Sequence, residues 1–232
     1  MLGLYIGIIL LLNIPYVQHQ MSVLVAKELS SVLGSRLTIG RINIGLLNRI
    51  IIDDLMLNDQ SGKELLKVGR LSAKFEILPL FNGRISIGNV QLFSFNANLE
   101  KPTPQATSNF QFVLDAFASK DTVKKKSNLD LRINSLLIRR GRVSYDVLSA
   151  ERTPGKFNPQ HIRLSNILAN ISLKALQSDS INAAIKRMSV EEDHSGFELK
   201  KLSLKIVANN KKMWIDNFAI DLPNTSLAMD TI

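Results

Sequence analysis

From Leu37 onward, apolar residues recur at every second position in successive short stretches, the period of strands with one face turned to a core. The stretches are "LTIGRINI", "RIIIDDLML", "LLKVGRLSAKFEI", "GRISIGNVQLFSF", "LDLRINSLLI", "GRVSYDV", "HIRLSNILANISL", "FELKKLSLKIV" and "MWIDNFAIDL". Turn-forming clusters separate several of them: "NDQSGK", "LPLFNG", "EEDHSG" and "ANNKK". One segment has another period. After the polar linker "KPTPQATS", Phe110, Val113, Leu114 and Phe117 stand at helical spacing, with Ser108 or Asn109 placed to cap the helix. "KDTVKKKS" reads as an exposed loop.

The alternation slips by one residue at recurrent places. Ile85 and Ile87 are followed by Val90 and Leu92, across Asn89. The same step crosses Asp54, Ser135, Lys201, Asn217 and Arg41. In a flat strand such a step moves the later residues to the opposite face. A β-bulge inserts one residue, restores the face, and bends and twists the strand. Bulges at matched places would curl a long sheet. The competing reading is that each slip is a strand end or a change of face.

The N-terminus has neither strand period nor charge. "MLGLYIGIILLLNIPYV" precedes the first charged residue, Lys27. About 17 helical residues reach roughly 25 Å, slightly short of a ~30 Å hydrocarbon core. A signal peptide would want a basic start and a small-residue cleavage site, and neither is present. Residues 1–17 are therefore expected to be a membrane anchor, truncated of its basic start, with a buried soluble helix as the alternative. In 18–34, Val17, Met21, Val25 and Leu29 recur every four residues beside Leu24, Val32 and Leu33, predicting an amphipathic helix that ends at Gly34. Such a helix lies on a membrane surface or caps the end of a sheet.

Composition narrows the chemistry. A chain of 232 residues that is 45% hydrophobic can bury a sizeable core. With no cysteine, disulfides and thiolate metal sites are excluded. The net charge of +9 suits a polyanion or an anionic membrane surface, or else simply guards strand edges. His19, His161 and His194 are far apart in sequence, and His194 falls in a turn. No GxSxG elbow, Walker loop, GxGxxG fingerprint or HExxH helix occurs. No catalytic, metal or cofactor residue is assigned, and the chain reads as a non-enzyme. Basic clusters stand at 124–126, 139–142, 200–201 and 211–212, but aromatics are only 6% and mostly at inward positions, against nucleic-acid binding. A transmembrane β-barrel would need aromatic girdles and would not keep an anchor helix.

The ordered series from the apolar start through "ELSSVLGSRLTIGRINI" to "RIIIDDLMLNDQSGKELLKVGRLSAKFEILPLFNGRISIGNVQLFSFNANLEK" resembles the AsmA-like family, and within it the N-terminal region of the TamB-like translocation and assembly module subunits. The helix "NFQFVLDAF" after a polar linker is similar to the Bacteroidota version. The resemblance covers roughly Leu11 to Tyr145. It implies a mostly β fold: an anchor and amphipathic helix, then a long curled antiparallel sheet, groove-like, over 35–232, incomplete at its C-terminus, with a linker and helix insertion at 101–127. It implies a Gram-negative inner-membrane protein whose body lies in the periplasm and conducts phospholipids towards the outer membrane. A BamA-superfamily outer-membrane barrel is the implied partner, met through a C-terminal part beyond this chain.

An apolar groove shelters acyl chains at about 0.8 kcal/mol per buried CH₂. The residues expected to line it are Ile85, Ile87, Val90, Leu92, Leu131, Ile133, Leu136, Ile138, Leu199, Leu202, Leu204, Ile215, Phe218 and Ile220. Two other readings stand beside this one: a non-catalytic scaffold for outer-membrane protein assembly that recruits client strands at its edge, and an ordinary β-sandwich binding module.

Overall fold

The computed structural model describes residues 2–45, 48–76, 85–118, 129–130, 134–177, 180–209 and 212–231. Two helices lead the chain, α1 (Leu2–Leu12) and α2 (Pro15–Leu33). The strands are β1 (Leu37–Gly45), β2 (Arg49–Asn58), β3 (Glu64–Glu76), β4 (Ile85–Lys101), β5 (Leu129–Asp130), β6 (Ser135–Val147), β7 (His161–Gln177), β8 (Ser180–Glu192), β9 (Phe197–Asn209), β10 (Met213–Leu222) and β11 (Thr225–Thr231). A third helix, α3 (Gln111–Ala118), lies between β4 and β5. All strands join one sheet, ordered β1-β2-β3-β4-β6-β7-β8-β9-β10-β11, with the short β5 beside β4.

Two features of the expected sheet are corrected. It is mixed, not antiparallel throughout: β4 runs parallel to β5 and β6. The chain leaves β4 at Lys101 and passes through the linker and α3 before it enters β6 in the same direction, and only a long crossover permits that. The sheet is also neither closed nor strongly curled, since β1 and β11 stand at its two ends.

The spanning anchor lacks support as well. Among the described residues no helix is long and apolar enough to cross a membrane. The 11 residues of α1 reach about 16 Å. The apolar run breaks at Asn13–Ile14, where Pro15 opens α2 and Asn13 Nδ2 donates to the Ile44 carbonyl at 2.8 Å. Next to it, Gln18 Nε2 donates to Asn43 Oδ1 at 2.6 Å.

α2 runs along β1 and shields the edge of the sheet. Its buried positions are Gln18 and Ser22, while Val23, Leu24 and Val32 are exposed. The helix was legible in the four-residue spacing, but its fully buried positions are polar, because an edge strand offers unpaired backbone groups that need partners. Ser30 supplies one: Leu37 N–H donates to its Oγ at 2.8 Å, and the hydroxyl donates to the Leu37 carbonyl at 3.2 Å. Gly34 ends the helix in the left-handed conformation expected of it (φ 63°).

β8 was not legible as a strand, since Ala183 and Ala184 dilute its alternation and Lys186–Arg187 interrupt it. The stretches "LLI" and "GRVSYDV", expected as separate strands, are one strand, β6, running through Gly141.

The slips resolve into three kinds. At Asn89 the pairing passes from Lys74–Asn89 to Phe75–Ile87, so Gly88 is an extra residue in β4. Lys201 lies in an insertion of β9 against β8, between Leu199 and Leu202. Asn217, at φ 54°, lies in an insertion of β10 against β9. These three are bulges. Ser135 is a strand start, where β6 takes over from β5 beside β4. Asp54 (φ 55°) and its neighbourhood on β1, including Arg41, stay in register without an insertion.

Asp54 belongs to a larger feature. Ser94, Arg140 and Asn166 are also left-handed, and glycines face two members of the series. Gly40 stands against Asp54, where a Cβ would lie 2.9 Å from the Asp54 Cβ, and Gly69 stands against Ser94. Together with the insertions of β8 and β9, these residues draw a crease across the sheet from β1 to β9. The insertions answer one another. One extra residue in β6 between Ile138 and Gly141 is met by one in β7 between Leu164 and Ile167, and one in β8 between Ile185 and Met188 by one in β9. In these two strand pairs the register is restored beyond the crease.

The crease yields a test. A Cβ on Gly141 would lie 2.2 Å from Phe95 Cε1. Gly141→Ala is expected to destabilise the fold by about 1–3 kcal/mol through overpacking. The cost should shrink when Phe95→Leu is combined with it, as a double-mutant cycle of thermal denaturation would read.

Candidate functional site: an apolar face across the sheet

Strand pairing assembles the alternating apolar residues into rows. One row begins Ile42, Ile52, Leu71, Leu92 and Ile138, each the direct partner of the next. It continues through Ala169, Met188, Leu202, Ile220 and Leu227, so all ten strands of the path contribute an apolar side chain. A second row runs Ile44, Ile50, Ala73, Val90, Leu136, Ile171, Ile185 and Leu204 over eight strands. A shorter third row is Leu173, Ala183, Ile206 and Ile215. Directly opposed residues share a face, so each row is a continuous stripe.

Rows on the two sides of the crease also share that face. Ile167, Val190 and Leu199 form a buried cluster against Phe95, Ile138, Val143, Leu164, Leu202, Ile220 and Leu222. Leu199 and Leu202, three apart in sequence, thus pack together across the bulge at Lys201. Leu164 and Ile167 do so across Asn166. The bulge at Asn217 acts likewise on β10, since Ile215 pairs with Ile206 and Ile220 with Leu202, and Ile206 and Leu202 lie on one face of β9.

The opposite face is polar. Its rows read Arg41, Asp53, Arg70, Phe93 and Arg139, then Lys74, Asn89, Ser135 and Ser172. Arg70 Nε donates to Asp53 Oδ1 at 2.6 Å, and the guanidinium's pKa is raised by that bond and the adjacent charge.

Most of the apolar face is only half covered. Val90, Leu92, Leu136, Ile138, Leu202, Leu204, Ile215, Phe218 and Ile220 are all intermediate in burial, and Leu199 is buried. A sandwich core would bury such residues against a second sheet, and every described strand here belongs to the one sheet. One corner is closed. Phe110, Phe112 and Val113, at the start of α3, pack on buried Leu37, Leu57 and Leu65, together with Ala26 and Leu33 of α2. Asn109 is not the expected side-chain cap; its Oδ1 accepts from Glu100 N–H and its Nδ2 donates to the Asn98 carbonyl, tying the helix entry to β4.

Of the expected lining residues, Leu131 and Ile133 lie outside the described residues, as do the side chains of Ile85 and Ile87. The others fall on the apolar rows, except that Leu199 pairs with Val190 in the buried cluster across the bulge, and Phe218 is placed by its partner Met229 on β11 and has no direct partner on β9. Ile42, Ile44, Ile52, Leu71, Ile171, Ile185 and Met188 also stand on the rows and were not among the expected lining residues. Outside β8 their alternation was visible, but only the register shows that they align.

At the β8–β9 end the sheet is pinned by a buried carboxylate. Glu192 is 2% exposed. Burial by itself would raise its pKa, but the Ser195 hydroxyl and the N–H groups of Ser195, Arg163 and His194 more than offset this and hold it at about 2. On the neighbouring turn, buried His161 lies with Nδ1 2.7 Å from Asp146 Oδ1 and Nε2 3.0 Å from the Ala150 carbonyl. Among the described residues no group of three or more His, Asp or Glu is arranged to hold a metal ion. Neither a protein-family model nor a curated protein sequence matches the chain.

Because the folded pKa of Glu192 lies below the ordinary carboxylate value, its contribution to stability is complete above about 4.5 and is lost as pH falls through about 2. Glu192→Gln leaves buried donors unmatched and is expected to cost about 1–3 kcal/mol at neutral pH. Thermal denaturation at neutral pH and at the acid end of that window should show the wild-type advantage shrinking on acidification.

Proposed function

We propose that the apolar face of this sheet shelters phospholipid acyl chains, and that the chain is the N-terminal part of an AsmA-like, TamB-type protein that moves lipid through the periplasm towards the outer membrane. The observation that carries the reading is the continuity of the two longest apolar rows, crossing ten and eight strands without a charged residue while most of their members stay only half buried. A stripe that long presents acyl chains with an unbroken apolar path, and the head groups stay in water beside it. Each buried CH₂ contributes about 0.8 kcal/mol, so a chain lying along the rows is held without any reactive group. The exposed residues of α1 and α2, among them Leu10, Leu11, Ile14, Tyr16 and Leu24, suit a membrane surface next to the β1 end.

The scaffold reading has one observation in its favour. β11 pairs only with β10 among the described residues, and Leu227 and Met229 on it are exposed, as an edge that accepts a client strand would be.

Photo-crosslinkers at Leu136, Ile185 and Leu204 are expected to capture phospholipid, and those at Asn89, Ser172 and Lys205 on the other face are not. Leu136→Asp should block lipid capture at Leu204 while leaving the circular dichroism β-rich, because a carboxylate on a half-exposed face stays hydrated at modest cost. Equal labelling of both faces would overturn the reading, and client-strand capture that survives Leu136→Asp would favour the scaffold.

A further inference from the structure

The crease also shapes the polar face. Where Gly69 carries no side chain and Ser94, Arg140 and Asn166 turn left-handed, the surface sinks into two adjoining clefts of about 460 and 280 Å³ that share Gly69, Ser94 and Arg140. Lys67, Arg140 and Arg142 line the larger one, and no carboxylate does. Lys67 and Arg142 stand on either side of Asn96 as its direct cross-strand partners. Two cations are thus held about two strand spacings apart, roughly 10 Å, with an amide between them. None of the three cations has a hydrogen bond or ion pair among the described residues. In the smaller cleft the one carboxylate, Asp53, is engaged by Arg70, and beside the larger one Glu191 accepts from Asn166 Nδ2 at 2.7 Å.

Arg140 adds an argument of its own. A left-handed backbone favours glycine, and a side chain there carries a cost. The neighbouring residue is a glycine, but that glycine is required where the Phe95 ring approaches, and the left-handed position itself holds an arginine that lines both clefts. Guanidinium groups recognise phosphate by paired charge-assisted hydrogen bonds.

We propose that this crease cleft binds a phosphate mono- or diester, with Arg140 and Arg142 contacting the phosphoryl oxygens and Lys67 and Asn96 completing the shell. The site lies on the face opposite the apolar rows and stands apart from the lipid-sheltering reading, so Leu136→Asp should leave it intact.

The test uses the full chain and two probes: glycerol 3-phosphate in solution, followed by calorimetry, and phosphatidylcholine vesicles with or without phosphatidylglycerol, followed by flotation. The Arg140→Gly, Arg142→Gln double variant is compared with Lys156→Gln, Lys200→Gln, which removes the same charge from exposed positions away from both the crease and the N-terminal helices. The crease variant should bind at least about tenfold more weakly, the loss expected for charge-assisted bonds, and the matched variant should bind as wild type does. Glycine suits the positive φ, so Arg140→Gly alone should keep or raise the melting temperature, and a binding loss then cannot come from unfolding. A loss confined to glycerol 3-phosphate assigns the site to a soluble phosphorylated ligand, and one confined to vesicles assigns it to a lipid head group. No binding of either probe by wild type, or an equal loss in the charge-matched variant, overturns the proposal.

Discussion

The structure depends on keeping one face apolar across ten strands while the strands themselves are interrupted. Strand alternation has a period of two, so a one-residue step in a regular strand would turn half of a row to the other face. Bulges and left-handed residues at the steps keep the apolar side chains on one face, and some of the insertions are paired across neighbouring strands. An extra residue in β6 is answered in β7, and one in β8 in β9. Asp54 turns left-handed without an insertion, against a glycine that makes room for it. The cluster that joins Ile138 to Val143 and Leu199 to Leu202 is the direct consequence.

A single sheet with one apolar face cannot cover both its surface and its edges, and the remaining elements answer those two needs. α3 covers one corner of the face with Phe110, Phe112 and Val113. α2 covers an edge, and because an edge exposes backbone donors and acceptors rather than side chains, the helix meets it with Ser30, Gln18 and the preceding Asn13. The far ends of β8 and β9 are held by Glu192, whose burial is tolerated because four donor groups surround it. The polar devices therefore sit at the margins of the sheet, and the centre of its apolar face stays open.

The same crease serves both faces differently. On the apolar side Phe95 fills the space above Gly141 and continues the packing. On the polar side the left-handed turns leave clefts lined by Lys67, Arg140 and Arg142. One backbone irregularity thus sets the continuity of one surface and the relief of the other.

By itself the sequence determined the β class, the α2 and α3 helices, Gly34 as a helix terminus and most of the apolar positions, because these follow from local periodicity and turn chemistry. It also marked six places where the spacing steps to three, but not which were bulges: Asn89, Lys201 and Asn217 are, Ser135 starts a strand, and Asp54 with Arg41 stays in register. Other features lay beyond its reach. Ser94 and Arg140 carry no spacing signal, and their left-handed turns depend on Gly69 and Phe95, residues brought opposite them only by pairing. The alanines of β8 conceal a strand that is specified by its neighbours. The parallel pairing of β4 with β6 depends on where the connection through α3 re-enters the sheet. Where the register shifts depends on which of two paired strands carries the extra residue, and no single strand records what its partner inserts. Local pattern decided which residues are apolar, and the register of the whole sheet decided that they line up.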